Sequence, residues 1–157
     1  NLYVPNGTAP DSENYAYKLA WFKQLREELD ALQSGADEEV LLCGDFNVAP
    51  DERDIWDTSG PETGTHYNPE VHEALANLRG FGLSDCFRKH NDEGGHYTWF
   101  DYRNASFERG HGMRIDHVYA SAGLYERNLA VSHAREPRTW ESPSDHLPVL
   151  AKFAGKS

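Results

Sequence analysis

The chain has 157 residues, 38% of them hydrophobic, and a formal net charge of -11. That length and apolar content are enough for one sizeable core in a single domain spanning 1–157, and no stretch has the apolar length of a membrane span. The acidic excess argues against a uniformly basic surface for a polyanion, yet residues 1–87 hold 5 Lys/Arg against 17 Asp/Glu while residues 88–138 hold 8 against 7. A face for phosphate therefore has to come largely from the second part, around Arg103, Arg109, Arg114 and nearby histidines.

The opening "NLYVPNG" alternates like the last part of a strand and carries no initiator Met, so the chain reads as beginning in mid-fold. From Tyr15, the apolar positions Leu19, Phe22, Leu25, Leu29 and Leu32 recur at helical spacing, with Gly35 as the stop. Residues 39–43, "EVLLC", form a short apolar strand that reads as buried on both faces. The polar, acidic, Gly- and Pro-containing stretch from Asp51 to Asn68 reads as a long loop. Asn68-Pro69 supplies the N-cap and first position of a second helix that ends near Gly80. "HYTWFDYR", "MRIDHVYAS", "LAVSHAR" and "LPVLAKF" read as strands, with "NASFERGHG" as a polar turn between the first two. Helices and strands joined by short polar turns predict an α/β (α+β) layer, one mixed sheet with helices on one face. Cys43 and Cys86 lack metal or redox spacing, which points to a reducing compartment such as the cytoplasm.

The informative residues sit at strand ends. Asp45 and Asn47 follow the buried strand in "GDFN", Asp116 lies in "RIDHVYAS", and Asp145 and His146 lie in "SPSDHLPV". Taken singly, each is an ordinary turn or capping residue. Converging at one sheet edge, they make a set of hard donors suited to Mg²⁺ or Mn²⁺, and a divalent ion with a phosphate substrate relieves the repulsion among the carboxylates.

"GDFNVAP", "YTWFDYR", "GMRIDHVYAS" and "SPSDHLPV", in this order, resemble the signature blocks of bacterial exonuclease III, in the endonuclease/exonuclease/phosphatase superfamily that also contains the abasic-site endonucleases. The resemblance covers nearly the whole chain and implies the C-terminal half of a four-layered α/β sandwich of the DNase I-like kind. The family's first half, with its metal-binding glutamate, has no counterpart in these residues. The expected partners are therefore that half, or a second copy of the chain, together with double-stranded DNA at abasic sites or 3′ ends.

The same resemblance implies the roles. Asp45 activates the attacking water, Asn47 orients it and contacts the phosphate, and His146 contacts the scissile phosphate with Asp116 as its paired carboxylate. Tyr3 brings its hydroxyl to the phosphate, Asn6 meets the DNA backbone, and Asp145 stands near the metal. The metal set is then Asp45, Asn47, Asp145 and His146, and Trp99, Met113 and Ile115 match an apolar pocket for a base-less sugar, with core packing as the competing reading. Arg103, Arg109 and Arg114 are the expected basic contacts to DNA. The implied activity is Mg²⁺-dependent phosphodiester hydrolysis in DNA repair, little of which is expected from residues 1–157 by themselves. A phosphodiesterase or phosphatase acting on a small phosphate ester, and an inactive DNA-binding fragment, stay open as alternatives.

Overall fold

The computed structural model describes residues 1–32, 39–60 and 63–155. Strand β1 (Leu2–Tyr3) leads to helix α1 (Glu13–Leu32), β2 (Leu41–Asp45), a short helix α2 (Thr63–His66) and α3 (Pro69–Arg79). Then follow β3 (Ser84–Asp85), α4 (Ser106–Arg109), β4 (Asp116–Ala120), α5 (Ala122–Arg127), β5 (Asn128–His133) and β6 (Val149–Phe153). The expected stop at Gly35 lies outside the described residues. No described helix is long and apolar enough to cross a membrane.

The first four strands form one mixed sheet in the order β1-β2-β4-β3, with β1 parallel to β2 and the other pairs antiparallel. Helices α1 and α3 pack on one of its faces. Phe22 and Leu29 from α1 and Val71, Leu75 and Leu78 from α3 meet Leu42, Phe46 and Tyr119 in the main core. Each such large apolar side chain contributes roughly 1.5–3 kcal/mol on burial. The helix starts follow from local chemistry. Ser12 Oγ accepts from Tyr15 N–H at 3.1 Å to open α1, and Asn68 Oδ1 accepts from Val71 N–H at 3.0 Å to open α3.

Several expectations change. The hairpin β5–β6 is a separate two-stranded sheet, lying across the opposite face of the main sheet, where Val131, Val149 and Phe153 pack beside Cys43, Val118 and Ala120. The first apolar run is consequently not buried on both faces throughout, since Leu42 is buried while Leu41 is exposed. "HYTWFDYR" is not a strand. Only Trp99 bridges Met113 and His146, because the Thr98 hydroxyl takes the N–H groups of Ile115 and Asp116, each at 3.1 Å, and so ends the ladder. The 51–68 stretch is not all loop, since it carries a 3-10 turn at Glu52–Asp54 and then α2.

Two backbone features place the site. Gly44 has φ +130, and a Cβ there would collide with the Leu2 carbonyl, so only glycine lets β1 lie this close to β2. Asn47 has φ +50, in the left-handed region where asparagine is among the few tolerated side chains.

Candidate active site

The sheet delivers Asp45 and Asp116 to one edge as Cα partners at the end of the β2–β4 ladder, and Tyr3 pairs with Asp45 from the other side. Beyond the strand, the chain doubles back through Asn47. Its backbone N–H donates to Asp45 Oδ1 at 2.8 Å and its Nδ2 to Asp45 Oδ2 at 3.1 Å. Nδ2 also donates to Val4 O at 2.9 Å, so the amide is orientated and both its N–H groups are engaged. The expected phosphate contact of Asn47 is thus not offered by a spare N–H. What the amide does here is clamp the carboxylate.

Burial, and then the charge of Asp116, push the Asp45 carboxyl up to about 6, against the opposing effects of the Asn47 N–H, His146 and Lys18. His146 Nδ1 lies 2.8 Å from Asp116 Oδ2. Burial lowers the pKa of this imidazole, but the hydrogen bond and charge of Asp116, with Asp45 and Asp145 behind it, outweigh that and raise it. In its protonated form the imidazole donates through Nδ1 to Asp116 and has Nε2 as its second donor. Neither Arg114 nor His117 serves Asp116. His117 is buried, donates from Nε2 to Val48 O at 2.8 Å and accepts at Nδ1 from Arg114 at 3.0 Å. Burial and Arg114 pull its pKa to about 4.

A cavity of about 420 Å³ has walls that include Asn6, His66, Trp99, Arg103 and Met113, while Asp45, Asn47, Asp116 and His146 are not among its lining residues. Asn6 Nδ2 reaches Asn47 Oδ1 at 3.4 Å and His66 Nε2 at 3.1 Å. Asp145 Oδ2 accepts from the Trp99 indole at 3.0 Å. Tyr3 presents an exposed ring at the rim of the sheet. Arg103 is exposed and bonded to Asp101, and Arg109 is exposed at the end of α4.

Two expected contacts are corrected. Arg114 is only 1% exposed and is bound to Asp54 and Asp85, so it is not available as one of the three expected basic contacts to DNA. Ile115 is buried in one cluster with Ala49, Ile55 and Met113 and belongs to the core. Met113 has both characters, because it is packed in that cluster and also lines the cavity.

Sequence reasoning missed Lys18 and His66. Lys18 Nζ donates to the carbonyls of Thr65 at 2.6 Å, Asn47 at 2.7 Å and Asn6 at 3.2 Å. His66 Nε2 stands 3.1 Å from Asn47 Oδ1. The available signal was a lysine on the buried stripe of α1 between Tyr15 and Phe22, since a charge at such a position needs partners.

The donor types suit a hard cation. Asp45 would hold it, and the ion would offset the Asp116 charge that, after burial, raises this carboxyl. Among the described residues, however, no three His, Cys, Asp or Glu side chains are gathered as a metal cage. Asp45, Asp145 and His146 therefore do not complete one between them.

The chain is similar in sequence and fold to several known proteins. Exodeoxyribonuclease III of Haemophilus influenzae is 33% identical over 97% of this chain and 61% of its own length. A 3′ phosphatase from Neisseria, solved with a product DNA hairpin, is 38% identical with a TM-score of 0.91, matching 99% of this chain and 60% of that one. An abasic-site endonuclease from Archaeoglobus fulgidus is 33% identical with a TM-score of 0.87, over 98% and 60%. The chain thus spans about three-fifths of these relatives, with the exonuclease III-like fold that the structure displays. The family model for the endonuclease/exonuclease/phosphatase family matches residues 2–146, a span that includes Asp45, Asn47, Asp116 and His146, and the chain belongs to that family.

Proposed function

We propose that this chain carries the water-activating and phosphate-binding machinery of a DNA-repair phosphodiesterase, cutting duplex DNA at abasic sites or trimming its 3′ ends. The observation that carries the reading is the run Asn47–Asp45–Asp116–His146, in which a clamped carboxylate with a pKa of about 6 faces a charge-paired imidazole. Asp45 takes a proton from water as that water attacks phosphorus in line. The imidazolium of His146, held by Asp116, stabilises the charge that develops on the phosphoryl oxygens, and the 3′-oxygen leaves. A divalent cation, Mg²⁺ or Mn²⁺, bound at Asp45 would supply further neutralisation of phosphate charge.

Asp145 orients Trp99 at the wall of the cavity, where Asn6 is available to the DNA backbone, and the exposed Tyr3, paired with Asp45 across the β1–β2 ladder, is available to the phosphate. Met113 and Trp99 offer the apolar wall for a sugar without its base. Arg103 and Arg109 give the basic contacts. The test is cleavage of a duplex carrying one abasic site, and of a recessed 3′ end, by the complete gene product with and without Mg²⁺. Metal-dependent cleavage of either substrate is expected, whereas hydrolysis only of small phosphate esters would refute the DNA reading.

A further inference from the structure

Lys18 is fully buried on the inner face of α1, where the helical period calls for an apolar side chain. Its Nζ has three acceptors, the carbonyls of Thr65, Asn47 and Asn6, at 2.6, 2.7 and 3.2 Å. Burial pulls the Lys18 pKa down to about 7, against the opposing charge of Asp45, and a neutral amine has only two N–H groups to give, so all three carbonyls are satisfied only while Lys18 is an ammonium. The acceptors come from three different segments: the β1–α1 connection, the turn after β2, and α2. Those same segments meet again through side chains, with Asn6, His66 and Asn47 within 3.1–3.4 Å of one another and Asn6 and His66 on the cavity wall. A buried ammonium is costly to desolvate, and a methionine would fill the same volume without that cost. What the charge adds is a fixed point at which three carbonyls converge. One of them belongs to Asn47, whose φ of +50 must be held from outside.

We propose that Lys18 is a positioning residue of the phosphodiesterase site, pinning the carbonyls of Asn6, Asn47 and Thr65 so that the Asn47 turn holds the Asp45 carboxylate in its working orientation. This rests on the function proposed above. Lys18 never touches substrate, and its effect passes through Asn47.

The test is Lys18→Met in the complete gene product, with kcat and KM on a cleavable duplex and the backbone and side-chain amide resonances of Asn47 by NMR. Loss of the pin should lower kcat roughly 10- to 100-fold through misplacement of the base, with KM nearly unchanged and the Asn47 resonances shifted or broadened. Lys18→Arg, which keeps the charge and the donors, should restore part of kcat. A folded Lys18→Met protein with parental kcat and parental Asn47 resonances would show Lys18 to be core filling only. Should Lys18→Met not fold, Lys18→Gln, which keeps two N–H donors and loses the charge, is judged by the same two outcomes. Absence of cleavage by the parent protein would sink the proposed function, while the Asn47 resonances would still decide the part played by Lys18.

Discussion

Asp45 and Asp116 stand opposite one another as the last pair of the β2–β4 ladder, so one edge of the sheet carries two carboxylates. Like charges in register destabilise a strand pair. Here the strain falls on Asp45, whose carboxyl is pushed up to about 6 by burial and by Asp116.

The first prediction follows from the sign of that shift. A carboxyl raised above its ordinary value of 3.8 adds stability that is fully present below that pH and is lost as pH rises through about 6. In metal-free buffer near pH 7.5, Asp45→Asn should therefore be more stable than the parent by about 1–2 kcal/mol, with the difference vanishing toward pH 4. Denaturant unfolding at both pH values checks it. A variant less stable than the parent at the higher pH would show that ionised Asp45 is not under strain.

His146 and Asp116 form one unit through the 2.8 Å contact, and their losses should not add. His146→Ala should cost roughly 10²- to 10⁴-fold in kcat, and Asp116→Ala should remove little more once His146 is gone. The measurement is a double-mutant cycle on kcat, and additive losses would mean that the two act separately.

The arginines divide by burial. Arg114 lies between Asp54 and Asp85 in the interior, so Arg114→Ala should cost about 3–5 kcal/mol of folding stability by leaving buried carboxylates unpaired. Arg109→Ala, on the exposed end of α4, should leave the unfolding midpoint unchanged while lowering the slope of log binding constant against log salt by about 1. Thermal unfolding and salt-dependent DNA binding of the two variants separate these roles. Weakened DNA binding by a fully stable Arg114→Ala protein would contradict the placement.

Gly44 makes the close approach of β1 possible. Gly44→Ala should destabilise the chain by about 2 kcal/mol or more, because the new methyl collides with the Leu2 carbonyl and the backbone sits at positive φ. Loss of protection at the Val4 amide, which donates to Asp45 O at 2.8 Å, is the expected hydrogen-exchange signature. An alanine variant with parental stability and protection would mean that β1 is not held by this contact.

The sequence made α3 legible from both ends, since Asn68, Pro69 and Gly80 each act within a turn of their own position. Asp45, Asn47, Asp116 and His146 were legible as polar residues near strand boundaries, and the structure brings them together at one sheet edge, while the roles expected of them rest on the resemblance of their motifs to the exonuclease III blocks. Lys18 was not, because its acceptors lie 12, 29 and 47 residues away and are backbone carbonyls, which any sequence supplies. Arg114 was misread for a related reason. Its partners Asp54 and Asp85 are distant in the chain, and a lone arginine in a polar motif looks exposed until they are found. The "YTWFDYR" block alternates like a strand, but the Thr98 hydroxyl takes the donors that a ladder would need, a competition that periodicity does not record.

The most direct test of the site is cleavage of an abasic-site duplex by the complete gene product and its Asp45→Asn variant, with DNA affinity measured on the same samples. Mg²⁺-dependent cleavage that falls by roughly 10³-fold or more in the variant, with affinity within about threefold, is the expected result. Equal cleavage by parent and variant would show that Asp45 is not the base, and absence of cleavage by the parent with either Mg²⁺ or Mn²⁺ would contradict the phosphodiesterase reading itself.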